Sequence, residues 1–283
     1  RLSFHMLKSI DHLILAVDDL SISKIFYSDL FGFPPIWEGV HKGLGTKNAI
    51  FSFENMYLEL LTKNGDGVGA TFVDNHIKLN GEGLAGIALE VVDINKASLD
   101  FAEKGIEVGE YINGEGLSSS KKIRTWKSLY LAKELTRGIF TILIEHSSEK
   151  ILYKHTEDSS HIKRLDHVVI NSNDPDGAIK LYRDIYGIRL ALDQFMKDWG
   201  GRMLFFRINK TTIELVGKPD SKNNKDKLWG FAWSVDNIEQ TYNRLIKSGI
   251  EVSEVRSGRK ANTLVCSIES KASPVPTLLI QHF

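Results

Sequence analysis

The sequence predicts an α+β fold in which four β-α-β-β-β modules pair into two half-barrel domains. Internal repeats are the first observation: residues 155 positions apart lie in similar apolar runs, and the matched pairs are His12 and His167, Gly32 and Gly187, and Glu59 and Glu214. A second repeat, with an offset of 144 positions, relates Gly86 to Gly230 and Gly105 to Gly249. An offset held at several landmarks is the signature of a repeated structural unit, so we expect two similar halves with two modules each.

Each module begins with a strand, continues with a capped helix and ends with further strands. In the first module, the apolar run 10–17 predicts the opening strand. Asp19, followed by apolar residues at helical spacing, predicts a helix that Gly32 terminates. The runs 49–53 and 57–61 predict the strands that follow. The corresponding features of the later modules are opening strands at 86–91, 165–170 and 230–235, helix starts at Asp174 and Asp236, and closing strands at 141–146, 212–216 and 277–282.

The two halves define the predicted domains. We expect the first domain at residues 7–148 and the second at 164–283, joined by the polar linker 149–163. Residues 1–6 are too short and too polar for a signal peptide, and we interpret them as a tag remnant that ends at the native start, Met6.

The composition excludes several classes of partner. Of 283 residues, 42% are hydrophobic and 25% are charged, which is typical of a globular protein. The 36 basic residues balance 36 acidic ones, which argues against nucleic acid or an anionic membrane as the main partner. No apolar stretch approaches the ~20 residues of a membrane helix. The single cysteine, Cys266, excludes an internal disulfide and fits a cytoplasmic location. We therefore expect a small-molecule partner.

Strand alternation places one histidine and one glutamate of each half on a common face. Successive side chains of a strand point to opposite faces, so His12 lies opposite the apolar Leu13 and Leu15, and Glu59 lies opposite Leu58 and Leu60. The second half repeats this pattern with His167 and Glu214. Imidazole and carboxylate groups are ligands that Zn, Ni, Fe or Mn accept, so the pattern indicates divalent metal binding.

These features resemble the vicinal oxygen chelate (VOC) superfamily, which holds glyoxalase I, the extradiol dioxygenases, and the bleomycin and fosfomycin resistance proteins. The common features are the β-α-β-β-β module, the Asp-His pair on its first strand and the glutamate on its last strand. The first half also resembles the glyoxalase-like branch, in the runs 41–48 and 57–60, in Arg124-Thr-Trp126 and in the run 142–145. His146 stands where that branch usually has tryptophan. The resemblance implies two VOC domains.

Metal ligands carried over from the superfamily form an incomplete set in each half. The first half offers His12, Glu59 and Glu145, with Gly86 where a second histidine is expected. His41, in a glycine-flanked loop, is a candidate replacement for that histidine. The incomplete set disfavours an extradiol dioxygenase, which needs two histidines and one carboxylate. A weaker second site consists of His167, Glu214 and Gln281, with Gly230 at the remaining position.

The resemblance implies a metal-dependent lyase or isomerase of glyoxalase type, acting on a small molecule chelated through neighbouring oxygens. Glu145 or Glu59 would transfer the proton, and the expected substrate-binding residues are His41, Asn48, Tyr57, Arg124 and Trp126. The alternative is a non-catalytic protein that sequesters a small molecule, as bleomycin resistance proteins do. Superfamily members often pair their sheets between chains, which implies a homodimer.

Simpler interpretations of the same residues remain open. His12 and His167 are also consistent with hydrogen-bonded polar groups that have no ligand. Arg124 and Trp126 are equally consistent with an exposed strand pair. Glu59 and Glu214 are more informative, because a carboxylate within an apolar run must be paired with a metal or a basic side chain.

Overall fold

The computed structural model of the protein describes residues 6–150, 153–154, 156–218 and 225–283. The predicted tag remnant therefore lies outside the described residues, apart from Met6. Among the described helices, none has both the length and the apolar character that crossing a membrane requires.

The first half contains the two predicted modules and one additional helix. Its elements are β1 (Leu7–Ala16), α1 (Leu20–Phe31), β2 (Trp37–His41), β3 (Thr46–Ser52), β4 (Tyr57–Lys63), α2 (Val68–Asn80), β5 (Gly83–Val91), α3 (Ile94–Glu103), β6 (Ile112–Ser118), β7 (Ile123–Tyr130), the 3₁₀ turn Lys133–Leu135 and β8 (Phe140–His146). Helix α2 connects the two modules and is absent from the sequence-based prediction.

The eight strands of the first half form a closed barrel in the order β1-β4-β3-β2-β6-β7-β8-β5. The modules meet at two seams. Antiparallel pairing of β1 with β5 forms one seam, and pairing of β2 with β6, from Gly39 opposite Ser118 to His41 opposite Gly116, forms the other. Closure leaves no unpaired strand edge in this half.

The second half repeats the modules but remains open. Its elements are β9 (Ile162–Ser172), α4 (Pro175–Ile179) with the π-helical segment Lys180–Ile185, β10 (Arg189–Met196), β11 (Gly201–Ile208), β12 (Thr211–Gly217), β13 (Asp226–Val235), α5 (Ile238–Lys247), β14 (Arg256–Ser257), β15 (Thr263–Ser267) and β16 (Thr277–His282). They form one eight-stranded sheet with β10 and β14 at its edges. Strand β14 has only 2 residues where its counterpart β6 has 7, and this short strand does not pair with β10. The predicted α+β architecture of four modules paired into two domains is confirmed.

Local sequence explains where the helices begin and end. The Asp19 side chain accepts a hydrogen bond from the Ile22 amide and caps α1. Gly32 ends α1 in the left-handed region with φ of 94°, as the sequence predicts. Asp174 caps α4 in the same way through the Gly177 amide.

The apolar faces of the strands and helices form a core that continues from one half into the other. Leu13 and Leu15 of β1 lie in this core, as strand alternation predicts. At the boundary, the Trp233 ring lies 4.3 Å from the Phe53 ring and 5.1 Å from the Phe31 ring, measured between centroids. Asn55 joins the halves through hydrogen bonds with the backbone of Leu165. The opposite face of the first-half strands points into the barrel.

Candidate functional site

The interior of the first-half barrel is a cavity of about 410 Å³, a volume within the usual range of small-molecule sites. Helix α2 covers one end of the barrel, because Val73 packs against the inward-facing Ile14 and Leu61. Phe72 and Phe140 also line this apolar end, with ring centroids 4.5 Å apart. The polar side chains that line the cavity include those of Asp11, His12, His41, Glu59, Arg124 and His146.

Three residues form a hydrogen-bonded chain along the cavity wall, and Glu59 lies at one end of it. His12 Nδ1 donates to Asp11 Oδ2 at 2.7 Å, and His146 Nε2 donates to Asp11 Oδ1 at 2.6 Å. The other ring nitrogen of His12, Nε2, lies 3.8 Å from Glu59 Oε1. Asp11 therefore fixes the orientation of both rings and directs His12 Nε2 toward the glutamate.

Glu59 is held from its other side by residues of the β2–β3 hairpin. Asn48 Nδ2 donates to Glu59 Oε2 at 2.7 Å, and His41 Nε2 lies 3.6 Å from the same oxygen. His41 Nδ1 in turn forms a hydrogen bond of 2.9 Å with Thr46 Oγ1. Oε2 is thus held by Asn48, whereas Oε1 faces His12 and the cavity.

The surroundings lower the pKa values of Asp11 and Glu59 and raise that of His12. Burial by itself raises the pKa of Asp11, but hydrogen bonds from His12 and His146 outweigh it and hold that pKa well below 3.8. Burial also acts to raise the pKa of Glu59, yet the nearby His41 and His12 and the Asn48 hydrogen bond lower it. For His12, burial is outweighed by Asp11 and Glu59, and the net pKa is raised above 6.5.

The pKa of His41 moves the other way, because burial dominates over the attraction of Glu59 and lowers it below 6.5. These shifts favour the ionised form of Glu59, the neutral form of His41 and the protonated form of His12. A carboxylate and an imidazolium side by side are suited to moving protons.

The structure brings together all five predicted substrate-binding residues. The side chains of His41, Tyr57, Arg124 and Trp126 line the cavity, and the His41 and Trp126 rings meet edge to face at 6.0 Å. Asn48 is buried behind them and acts through its hydrogen bond to Glu59. Arg124 and Trp126 therefore face the interior and not the outer surface.

The second half contains the same hydrogen-bonded chain outside any enclosed barrel. His167 Nδ1 donates to Asp166 Oδ2 at 2.7 Å, and His282 Nε2 donates to Asp166 Oδ1 at 2.6 Å. His167 Nε2 lies 3.3 Å from Glu214 Oε2. The His282 side chain is 48% exposed, whereas that of its counterpart His146 is 7% exposed. The positions that correspond to His41 and Asn48 are Met196 and Met203 in this half.

Glu145 and Gln281 do not reach these sites, contrary to the expected ligand sets. Glu145 Oε1 accepts the Ile94 amide hydrogen at 2.9 Å and caps α3, and Glu145 Oε2 lies 3.6 Å from Lys127 Nζ. Gln281 Oε1 accepts from the Ile238 amide at 2.8 Å and caps α5. Both residues occupy the outer face of their strand, so Glu145 is separated from His12 and Glu59.

Strand register shows what the second module of each half places beside the histidine. His12 lies seven residues before the N-cap of α1, and Gly86 lies seven residues before the N-cap of α3, so Gly86 has the position expected for a second histidine. On β8, Ile142 corresponds to Glu59 on β4, because Glu59 pairs with Ile14 and Ile142 pairs with Ala88, the equivalent of Ile14. The second module of the first half therefore supplies neither a histidine nor a carboxylate at these two positions.

The capping role of Glu145 gives a prediction about stability. We expect Glu145→Ala to lower the free energy of unfolding by about 0.5–2 kcal/mol, because α3 loses a hydrogen-bond acceptor at its first turn. Glu145→Gln should retain most of that stability, because glutamine performs the same role at position 281. Urea denaturation of the two variants measures the difference. Equal losses in both variants would show that the cap hydrogen bond is not what Glu145 contributes.

The residues at Glu59 fit a divalent metal in ligand type but not in geometry. A catalytic zinc-type site has three protein ligands, and His12, His41 and Glu59 are of suitable types. Two ligands each ~2.1 Å from an ion lie at most ~4.2 Å apart, and each histidine is within that distance of the carboxylate. The three do not, however, bring one ligand atom each within 4.8 Å of one another. Arg124 also places a positive charge beside them, so these residues do not make a complete metal site.

A second group of ligand atoms lies at the other end of the hydrogen-bonded chain. Asp11, Glu90 and His146 are the group, among the described residues, with all ligand atoms within 4.8 Å, which makes them a candidate metal site. Two lysines already approach this group: Lys8 Nζ lies 3.2 Å from Glu90 Oε1, and Lys150 contacts Glu90 Oε2 and lies 3.8 Å from Asp11 Oδ1. Their ammonium groups supply the positive charge that a cation would otherwise provide.

Sequence reasoning missed the two residues that complete the hydrogen-bonded chain. In the sequence, Asp11 stands out only as the neighbour of His12, and His146 only as a departure from tryptophan. The signal that identifies them is the repeat itself: Asp11 corresponds to Asp166, and the closing strands of both halves end in histidine, at His146 and His282.

Two family models match the chain. A model described as the glyoxalase-like domain matches residues 10–165, which is more than half of the 283 residues. A model described as the glyoxalase/bleomycin resistance protein/dioxygenase superfamily matches residues 164–268. A search of curated proteins gives no match.

Solved structures show the same fold at low sequence identity. A variant of 4-hydroxymandelate synthase from Streptomyces coelicolor has a TM-score of 0.68 and 15% identity, covering 98% of this chain and 93% of the other. A hypothetical protein from Staphylococcus aureus has a TM-score of 0.66 and 13% identity, covering 96% and 99%. A Mn(II)-bound glyoxalase from Novosphingobium aromaticivorans has a TM-score of 0.63 and 14% identity, covering 98% and 83%. The family matches and the fold agree, and the chain therefore belongs to the glyoxalase-like domain family of the VOC superfamily.

Proposed function

We propose that the first half is an isomerase or lyase that moves a proton on a small α-hydroxycarbonyl compound bound inside the barrel. The observation that supports this most strongly is the pairing of Glu59 with His12 at 3.8 Å inside an enclosed cavity. Neighbouring groups favour the ionised form of the first and the protonated form of the second. A base and an acid that can both reach one substrate are what proton transfer next to a carbonyl requires.

In the proposed reaction, Glu59 Oε1 takes the proton from the carbon beside the carbonyl, and His12 Nε2 donates a proton to the carbonyl oxygen. The carbon–hydrogen bond breaks, its electron pair forms a carbon–carbon double bond, and an enediol results. Return of a proton to the neighbouring carbon and loss of the other hydroxyl proton complete an isomerisation. Asp11 stabilises the charged form of His12, and Asn48 holds Glu59 in place.

A divalent ion would polarise the carbonyl oxygen if one were bound. His12 and Glu59 are the residues that could hold it, with His41 nearest as a further donor. Because this set is incomplete, the exchange assay below is run both with chelator and with added metal.

Deuterium exchange tests the proposal without knowledge of the natural substrate. The protein is incubated in D₂O with glyceraldehyde, dihydroxyacetone, lactaldehyde and α-hydroxyketones that carry a carboxylate, and loss of the α-proton signal is followed by NMR. We expect exchange above the buffer rate for at least one compound. Repeating the assay after dialysis against a chelator, and again with Zn²⁺ or Mn²⁺ added, shows whether a metal contributes.

A second candidate function is binding without catalysis, as in proteins that sequester a small molecule. It is favoured by Gly86 and Ile142, which occupy the inward positions that correspond to His12 and Glu59 in the second module. Compounds that bind in the cavity with no α-proton exchange, with or without added metal, would favour this function over the enzyme.

A further inference from the structure

Arg124 is a buried cation whose side chain is held between two indole rings. It lies on β7 with 9% of its surface exposed, and its guanidinium carbon is 4.6 Å from the centre of the Trp37 ring and 5.4 Å from that of Trp126. Stacking of a guanidinium on aromatic faces restricts its rotation while leaving its N–H edge available for hydrogen bonds.

Two glycines make room for the indole rings that hold Arg124. A Cβ atom at Gly114 would lie 2.1 Å from Trp126 Nε1, and a Cβ atom at Gly39 would lie 2.8 Å from Trp37 Nε1. Any larger residue at either position would displace a ring. The barrel wall is therefore built around this arrangement of the two tryptophans.

The charge of Arg124 is not neutralised by a direct partner. Within the described parts of the chain, no carboxylate forms an ion pair with it, and its buried Nε has no hydrogen-bond partner. Burial lowers the pKa of Arg124, with Glu59 the largest opposing influence, yet Glu59 is already engaged by Asn48 and faces the two histidines. An uncompensated charge in a cavity is costly unless a ligand supplies the counter-charge.

The rest of the cavity indicates the chemical character of the ligand to which that negative group is attached. The end of the barrel near α2 is apolar and includes Ile14, Leu61, Phe72 and Phe140. The second half provides a contrast, because β15, the counterpart of β7, has the sequence Thr-Leu-Val-Cys-Ser and contains no arginine.

We propose that the compound bound in the barrel is an organic carboxylate, held through two hydrogen bonds by the guanidinium of Arg124 between Trp37 and Trp126, with its apolar part toward α2. This inference builds on the proposed function by naming the class of its substrate. A planar guanidinium matches a carboxylate in geometry and charge, and such paired bonds are among the strongest in proteins.

Binding of matched probes tests the inference. Isothermal titration calorimetry compares benzoate with benzamide and hexanoate with hexanamide, so that only the charge of the head group changes within a pair. We expect each carboxylate to bind about 10- to 100-fold more tightly than its amide, because hydrogen bonds to a charged group contribute that much. Arg124→Met should remove this preference, and Arg124→Lys should restore part of it.

The control is Lys127→Met, which removes a cation from the same strand but from its outer face, where Lys127 meets Glu145. It should leave the preference for carboxylate unchanged. Circular dichroism shows whether Arg124→Met folds. If it does not, the inference is tested by comparing the preference for carboxylate over amide in the unaltered protein with that in Arg124→Lys. Equal binding of carboxylate and amide would overturn the inference, as would tighter binding of inorganic phosphate than of either carboxylate.

The outcome can be separated from that of the proposed function. Carboxylate preference is a binding measurement and does not depend on turnover. Preference without α-proton exchange would support the inference and contradict the enzyme. Exchange that is unaffected by Arg124→Met, on a substrate without a carboxylate, would support the enzyme and contradict the inference.

Discussion

Glu59→Gln is expected to lower the rate of α-proton exchange by a factor of about 10²–10⁴, the usual contribution of a general base. The glutamine side chain keeps the shape of glutamate and can still accept the Asn48 hydrogen bond, so the fold should be retained. What is lost is the negative charge that takes the proton and that helps to raise the pKa of His12.

The repeated second half provides a matched control for this variant. Glu214→Gln makes the same chemical change in the same hydrogen-bonded arrangement, 3.3 Å from His167, but outside the barrel cavity. We expect exchange within about twofold of the unaltered protein. If Glu214→Gln abolishes exchange and Glu59→Gln does not, the reaction belongs to the second half and the proposal is wrong.

Asp11→Asn is expected to reduce the free energy of unfolding by about 3–5 kcal/mol, the usual cost of breaking a buried charged pair from one side. The Asp11 side chain is only 1% exposed and accepts hydrogen bonds from two rings. An asparagine can accept only one of them, because its amide nitrogen is a donor that would face the second donor. Thermal and urea denaturation measure the loss. Asp166→Asn is the control, and we expect a smaller loss because one of its partners, His282, is 48% exposed.

The pH dependence of stability follows from the same pair. The pKa of Asp11 in the folded protein is below 3.8, so its stabilising contribution is present above pH 3.8 and is lost as the pH falls through the folded value. The pKa of His12 is raised above 6.5, so its contribution is complete below pH 6.5 and is lost as the pH rises through the folded value. We therefore expect Asp11→Asn to cost most between these limits. A loss that does not vary with pH would show that the two charges are not coupled.

The sequence was sufficient to predict the modules and the inward face of the first closing strand. The repeat offsets placed the four modules, and alternation placed His12 and Glu59 together, because an apolar residue on each side of Glu59 leaves only one face for it. Closure of the barrel was not predictable in this way. It depends on pairing between β2 and β6, which are about 75 residues apart in the chain, and on the length of β6 compared with β14.

The error at Glu145 has a simple physical origin. A shift by an odd number of residues along a strand moves a side chain to the opposite face. When the strands are aligned through their register, Glu59 of β4 corresponds to Ile142 of β8, and Glu145 lies three residues beyond Ile142. The similarity between the sequences Tyr-Leu-Glu-Leu and Ile-Leu-Ile-Glu does not take this difference in strand register into account. Glu145 is equally well explained as a helix cap, and Gln281 supports that explanation because an amide can also accept the hydrogen bond.

The two copies of the hydrogen-bonded chain differ in their dielectric surroundings more than in their chemistry. Two unit charges ~4 Å apart interact by about 1 kcal/mol in water and by about 4 kcal/mol at the effective dielectric constant of ~20 near a protein surface. The histidine of the closing strand and its aspartate therefore attract each other more strongly in the first half, where the His146 side chain is 7% exposed, than in the second half, where that of His282 is 48% exposed. In the first half β2 pairs with β6, whereas the corresponding strands β10 and β14 of the second half are unpaired sheet edges. This difference in strand pairing is enough to alter the electrostatics of a site whose aspartate, histidines and glutamate are the same.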